Sequence, residues 1–226
     1  MGNRRFWRAS TFAPMLSPTS RRFLRPLLNC AIVGGLMLAC LPVAQTLYGR
    51  WSQHQLETQW KQQQIAAPKR LQRKNPIEKV TLAAPAVKAK VKPARWPLTK
   101  LSIAAINLET YAVQGWDDDS LRRGPGHDPR SAAPGEGNCV LAGHRNIYGS
   151  PFYKVDELMP GAPIILESRD GKFTYVTSRV FTTTDSDASI MAQPAPGATP
   201  MLTLITCTMP HTSNRIVVQA ALSSEN

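Results

Sequence analysis

Leu202-Thr203-Leu204-Ile205-Thr206-Cys207 is an unbroken run of aliphatic and β-branched residues closed by a cysteine, and its reading decides the fold of the second half of the chain. Ile and Thr favour a pleated strand. Side chains alternate along such a strand, with Leu202, Leu204 and Thr206 on one face and Thr203, Ile205 and Cys207 on the other. Thr208-Met209-Pro210-His211 then breaks it, because proline donates no hydrogen bond to a sheet. Cys207 is therefore expected at a strand's edge, where a loop can expose it. Similar runs stand at residues 101–106, 140–143, 164–167, 173–181 and 215–222, separated by Gly, Pro, Asp and Ser clusters. Asp170-Gly171 is a hairpin signal between two of them. Short helices are expected only at 151–158 and 186–191. Many short strands and few helices predict an all-β barrel or sandwich from about Leu98 onward.

Two further residues share the placement of Cys207. His144 ends the run Leu141-Ala142-Gly143, and Arg215 opens the run Ile216-Val217-Val218. A cysteine is a strong nucleophile as its thiolate, and an imidazole can exchange the proton. A guanidinium keeps its charge and offers fixed donors to an oxyanion or a peptide carbonyl. Each residue also has a plain structural reading: a core cysteine, a hydrogen-bonded histidine, a surface arginine lying along apolar neighbours. Position alone leaves both readings open. His211, four residues beyond Cys207, is a rival base; His127 and His211 both stand in polar, Gly/Pro-flanked stretches and read as solvated.

Cys139 lies five residues before His144, about 16 Å back along a strand at ~3.3 Å per residue. That is too far for a disulfide with Cys207 if His144 and Cys207 meet. The scattered histidines lack zinc-ligand spacing, and no Gly-rich phosphate loop precedes a helix. Asp117, Asp118, Asp119, Asp185 and Asp187 are the acids available to calcium, but short acidic runs read more simply as solvated faces.

The net charge of +12 divides unevenly among the 226 residues. Residues 1–100 hold 18 Lys/Arg against 2 Asp/Glu, whereas residues 101–226 hold 9 against 13. The basic residues lie outside the folded part, so nucleic-acid binding lacks a platform. Residues 27–47 are mostly apolar and carry no charge, and at about 1.5 Å rise per residue they span roughly 30 Å, one bilayer core. Arg4, Arg5, Arg8, Arg21, Arg22 and Arg25 precede them, with only Arg50 and Lys61 soon after. That bias places the N-terminus in the cytoplasm and the remainder outside. A cleaved signal peptide is the alternative, but the apolar stretch is long for one, and Met37-Leu38-Ala39-Cys40 resembles a lipoprotein cleavage box only faintly. The expected organisation is a basic cytoplasmic tail (1–25), a single transmembrane signal-anchor (26–48), an extracytoplasmic helix and Pro/Ala/Lys-rich stalk (49–97), and a folded β domain (98–226). This makes the chain a single-pass protein of the cytoplasmic membrane.

Residues 98–226 resemble a sortase, a membrane-anchored cysteine transpeptidase. Leu121-Arg122-Arg123-Gly124-Pro125-Gly126-His127 resembles the segment ahead of that family's catalytic histidine. Pro134-Gly135-Glu136-Gly137-Asn138, with Leu141-Ala142-Gly143-His144-Arg145, resembles its histidine motif. Thr203-Leu204-Ile205-Thr206-Cys207, with Arg215-Ile216-Val217-Val218, resembles its cysteine and arginine motifs. The Gly-Pro-Gly-His segment and Cys-x-x-Pro at 207–210 look most like classes D and E. The departures are Cys139 in place of a plain aliphatic residue and the short loop at 208–214.

The resemblance implies a closed eight-stranded sortase-type β-barrel with one or two short helices, preceded by a single N-terminal transmembrane helix. It implies that His144, Cys207 and Arg215 are catalytic, with a Cys207 thioester formed on a Leu-Pro-x-Thr-Gly-like sorting signal. Thr206, Ile190 and Met191 are the substrate-binding candidates, the last two from the segment 183–200 before the cysteine strand. The partners implied are a secreted protein carrying a C-terminal sorting signal, an amine nucleophile (a wall peptide or pilin lysine, with water as the hydrolytic alternative) and the membrane. No cofactor is implied. An L,D-transpeptidase fits poorly, since that family's arginine follows two residues after its cysteine and no glycine precedes Cys207. A non-catalytic, membrane-tethered peptide-binding β-domain would be expected to lack one of the three residues.

Overall fold

The computed structural model describes residues 18–66, 96–210 and 212–225. His211 and most of the Pro/Ala/Lys-rich stretch lie outside the described residues, as does most of the basic tail. The first described element is a long helix, α1 (Pro18–Ala66). Two compact units divide the chain, Met1–Val43 and Ala44–Asn226. In the first, Leu27, Leu28, Ile32, Val33, Leu36, Met37 and Leu38 of α1 are all more than half exposed. A helix this apolar on every side has no stable place in water, and Pro26–Ile65 is long and apolar enough to cross a membrane.

The second unit contains eight strands: β1 (Thr99–Ile103), β2 (Leu108–Gln114), β3 (Gly126–His127), β4 (Asn138–Ala142), β5 (Pro163–Ser168), β6 (Gly171–Thr184), β7 (Met201–Cys207) and β8 (Asn214–Glu225). They close into a barrel in the order β1-β2-β3-β4-β7-β8-β6-β5, which is the architecture the resemblance implied. Closure removes the unpaired edges an open sheet would leave. The pairs β2–β3 and β4–β7 are parallel, the rest antiparallel. Two register shifts between β6 and β8 let these long strands bend around the barrel.

Inside sit Leu101, Ile103, Leu141, Phe152, Ile164, Leu166, Tyr175, Leu202 and Leu204, all fully buried. Each large apolar side chain removed from water in this way contributes about 1.5–3 kcal/mol before entropy is counted. Tyr175 keeps its polar end satisfied by accepting from the Gly135 N–H at 2.9 Å.

Several elements differ from the sequence-based expectation. The strands β2 and β3 were not anticipated: β2 lacks clean alternation, and β3 is two residues long. The expected helix at 151–158 is reduced to a single 3-10 turn at Val155–Glu157, and that at 186–191 to one at Ala188–Met191. An unanticipated helix, α2 (Asp118–Arg123), starts where the Asp117 side chain accepts from the Ser120 N–H. The hairpin between β5 and β6 turns at Arg169-Asp170, and Gly171 is already paired with Ser168.

Candidate active site

The strand β7 lies between β4 and β8. Its residues from Leu202 to Thr206 are buried on both faces, and only the ends, Met201 and Cys207, reach solvent in part. Cys207 is thus the residue at which the strand emerges from the barrel into solvent. Its register partner in antiparallel β8 is Arg215. The loop between them is tied by the Thr208 and Thr212 hydroxyls at 2.7 Å and by the Asn214 N–H donating to Thr212 Oγ1 at 3.1 Å; its Met209–Pro210 peptide bond is cis. Arg215 Nη1 donates to the carbonyls of Thr212 (3.1 Å) and Asn214 (3.0 Å), and Nη2 reaches Asp185 Oδ2 at 3.5 Å. The guanidinium is therefore fixed at the mouth of the barrel beside the cysteine strand.

His144 arrives from the other side of β7. Parallel pairing of β4 with β7 ends at Ala142↔Ile205. Beyond it the Gly143 N–H donates to the Ile205 carbonyl at 3.0 Å, and the buried Thr206 hydroxyl donates to the Gly143 carbonyl at 2.8 Å. His144 and Cys207 each stand two residues past the last pair, at the same barrel end. Gly143 is required here: a Cβ would lie 2.6 Å from the fully buried Phe152 ring. The Phe152 N–H in turn donates to the His144 carbonyl at 3.1 Å, and Arg145 pairs with Asp156 at 2.6 Å. The Tyr148 ring lies 5.4 Å from the His144 ring, tilted by 42°.

Of the substrate-binding candidates, Ile190 is buried in an apolar cluster with Val140, Ile205 and Val217, and Met191 packs against its edge. Thr206 is buried, with its hydroxyl directed to Gly143. Asn138 clasps the Ile190 segment to the histidine strand. Its Nδ2 donates to the carbonyls of Ile190 (3.0 Å) and Ala192 (3.1 Å), its Oδ1 accepts from the Thr203 hydroxyl (2.7 Å), and its backbone N–H donates to Gln193 Oε1 (2.8 Å). Sequence reading did not single out Asn138; a polar amide immediately before the apolar run Cys139-Val140-Leu141 was the available signal.

His127, expected to be solvated, is instead buried at 5% exposure. It pairs with Leu141 in the sheet, and its ring stacks on Trp96 at 3.8 Å and 11°. Its Nε2 lies 3.0 Å from Ser131 Oγ and 3.1 Å from the Ala132 carbonyl. Burial pulls its pKa below the ordinary histidine value, against the opposing pull of the Ala132 carbonyl and Asp128. The short β3 strand, invisible in the local pattern, draws it inward. Cys139 is fully buried, and desolvation pushes its thiol far above the usual cysteine range. Neither Cys139 nor Cys207 is in a disulfide.

Two of the acids have structural tasks. Asp117 caps α2, and Asp187 accepts from Ser189 and from the Thr183 hydroxyl, bonds that hold its carboxyl below the usual range. Among the described residues no group of three or more His, Cys, Asp or Glu is placed to hold a metal ion.

The barrel domain has known counterparts. The sequence model of the Sortase domain family matches residues 101–223. The chain is similar to sortase SrtE1 of Streptomyces coelicolor, 35% identical over 96 residues that make up 39% of this chain and 27% of that protein. It is similar to sortase D of Bacillus subtilis, 37% identical over 92 residues, 40% of this chain and 45% of that one. The matches thus span less than half the length of either curated relative. Among solved structures, a sortase D5 transpeptidase of Clostridium perfringens superposes with a TM-score of 0.52 at 31% identity, covering 57% of this chain and 79% of that one. Sortase E1 of Streptomyces coelicolor, solved with a tripeptide in its active site, gives 0.52 at 30% identity, covering 57% and 90%.

Proposed function

The chain belongs to the sortase family, and from that premise we propose that it is a cysteine transpeptidase that joins a secreted protein to an amine through a Cys207 thioester. The observation that carries this reading is the strand register, which sets Arg215 opposite Cys207 and brings His144 to the same barrel end. A thiol, an imidazole and a permanent cation carried at one barrel end are the groups acyl transfer needs.

In the first half-reaction the Cys207 thiolate attacks the carbonyl of the threonine in a Leu-Pro-x-Thr-Gly-like signal. A C–S bond forms, and negative charge develops on the carbonyl oxygen. Arg215 stabilises that charge or holds the substrate carbonyl beside it. As the tetrahedral species collapses, the C–N bond breaks, and the His144 imidazolium gives its proton to the departing glycine amine. In the second half-reaction an incoming amine attacks the thioester, His144 takes its proton, and Cys207 leaves as thiolate. Proton and electron pair balance over the cycle with no external redox partner. The Ile190–Met191 segment, clasped by Asn138, is proposed to form one wall of the signal's groove. α1 is proposed to span the cytoplasmic membrane with its N-terminus inside, which would hold the barrel where secreted substrates emerge.

The test is intact mass spectrometry of the detergent-solubilised full chain incubated with Leu-Pro-x-Thr-Gly-like and Leu-Ala-x-Thr-Gly-like peptides and an amine. An acyl adduct absent from Cys207→Ala, together with amine-capped product, is expected. Amine-capped product formed undiminished by Cys207→Ala would overturn the reading.

A further inference from the structure

The loop that carries His144 is gripped from outside the barrel by the part of α1 belonging to the same unit. Gly49 of α1 is buried, and a Cβ added there would overlap the carbonyl carbon and oxygen of Tyr148 and lie 2.9 Å from the Gly149 nitrogen. Helix and loop backbones touch at this point, and only glycine permits it. The Tyr48 ring meets the Tyr148 ring edge-on, with centroids 6.3 Å apart at 76°. Tyr148 in turn lies 5.4 Å from the His144 ring, and the Arg122 guanidinium sits 5.8 Å from the centre of the same tyrosine. Tyr148, Gly149 and Ser150 all have positive φ, at 51°, 82° and 52°. Two of these are not glycine, so the surroundings must hold the loop in a conformation such residues rarely adopt.

The helix is itself latched. Gln53 Oε1 accepts from the Tyr111 N–H (2.8 Å) and the Thr110 hydroxyl (2.9 Å), while Nε2 donates to the carbonyls of Arg123 (2.7 Å) and Tyr111 (3.2 Å). One amide thus uses both its ends on the barrel. Leu56 and Trp60, one and two turns further along, are buried against Tyr111 and Val113. A segment that needed only to tether the barrel would have no reason to bury two large apolar residues and an amide against it.

We propose that Tyr148 is a positioning residue for His144 and that Tyr48, Gly49 and Gln53 of α1 are its brace, so that residues 44–66 belong to the catalytic unit. This rests on the transpeptidase reading. The physical basis is orientation: a loop histidine free to rotate loses the geometry of proton transfer, and misplacement by about 1 Å costs on the order of 10²-fold in rate. Tyr148 meets the His144 ring on one side and the Tyr48 ring of the helix on the other, so it links the catalytic histidine to α1.

The experiment uses the full chain in detergent with Tyr148→Ala, Tyr148→Phe, Tyr48→Ala and Gly49→Ala. Two quantities are read: the rate of Cys207 alkylation by iodoacetamide, which needs no peptide, and kcat and KM for peptide transfer. Tyr148→Ala and Gly49→Ala are expected to slow both alkylation and kcat by about tenfold or more, with KM within about twofold of the parent. Tyr148→Phe should restore most of what Tyr148→Ala loses, because the ring and not the hydroxyl makes the contact. Tyr48 is partly exposed, so Tyr48→Ala leaves the fold intact and should give a smaller loss in the same direction. Alkylation and kcat unchanged in both Tyr48→Ala and Tyr148→Ala overturn the proposal. If no peptide is turned over by the parent chain, the transpeptidase reading fails, and the alkylation rates still decide whether Tyr148 and α1 position His144.

Discussion

Cys207 and Arg215 are register partners across the antiparallel β7–β8 pair, the last residue of one strand facing an early residue of the next. Strand spacing alone sets their backbones ~5 Å apart, so a cation that never loses its charge is carried at the same barrel end as the thiol. Its donors are already committed to the Thr212 and Asn214 carbonyls and to Asp185, which fixes the guanidinium plane before any substrate arrives. Arg215→Ala should therefore lower kcat by on the order of 10²–10³-fold, the range seen when one oxyanion donor is removed. Arg215→Lys should recover little of that loss, because an ammonium cannot reproduce the fork that spans two carbonyls and a carboxylate. Steady-state kinetics of the two variants decide it; full activity in the lysine variant would sink the geometric argument.

The Thr206 hydroxyl is buried and donates to the Gly143 carbonyl one residue before His144. Thr206→Val keeps the side chain's shape and removes the donor, leaving a carbonyl in a dry place without a partner. That costs about 1–3 kcal/mol. The variant should melt several degrees lower and turn over more slowly, since the same bond sets the exit direction of the histidine loop. A variant with lowered stability and unchanged kcat would mean the bond serves the fold alone.

What the chain discloses without a structure follows from periodicity. The strand runs around Leu202–Cys207 and Arg215–Val218 are long, apolar and edged by breakers, so the cysteine and arginine were legible as strand-end residues. The strand β3 was not, because two residues carry no period, and with it went the burial of His127. The Asn138 clasp and the Gln53 latch were also hidden. Each joins residues more than fifty positions apart through side-chain amides, and no local pattern encodes such a partner. The docking of α1 on the barrel was obscured further because its contacts occur once per helical turn, at Gly49, Ser52, Leu56 and Trp60, among many polar neighbours.

The two cysteines of the barrel differ in burial, and this predicts a labelling pattern. Cys139 is fully buried with its pKa pushed up by desolvation, so almost no thiolate forms near neutral pH. Cys207 is partly exposed at the barrel mouth. Iodoacetamide applied to the native chain should modify Cys207 and leave Cys139 intact, whereas after denaturation both should react. Peptide mapping by mass spectrometry reads this directly, and equal native labelling would contradict the burial of Cys139.

Asn138 satisfies the carbonyls of Ile190 and Ala192 and the hydroxyl of Thr203 at once. Asn138→Ala strands the buried Ile190 carbonyl and Thr203 hydroxyl at about 1–3 kcal/mol apiece, and releases the Ala192 carbonyl nearer the surface. It is expected to lower the melting temperature and to raise KM for a sorting peptide more than it lowers kcat, because the Ile190 segment rather than the histidine loop is released. A kcat defect with unchanged KM would place the clasp on the catalytic side instead.

The burial of His127 makes a pH prediction whose sign can be worked out. Desolvation lowers its folded-state pKa below the ordinary value of 6.5, so between the two values the unfolded chain binds more protons than the folded one. Stability then rises with pH through that window and is lost as pH falls below about 6.5. The stack on Trp96 should survive His127→Phe, which removes the titration while keeping an aromatic ring in place. That variant gives up the contacts of Nε2 with Ser131 and Ala132 and should melt lower near neutral pH. Its melting temperature should nevertheless fall less than the parent's on acidification from about pH 7.5 to about pH 5, so the two curves converge. Parallel curves over that range would show that His127 titrates alike in the folded and unfolded chains, and the stacked, half-satisfied imidazole would then have to be protonated in the folded state without cost.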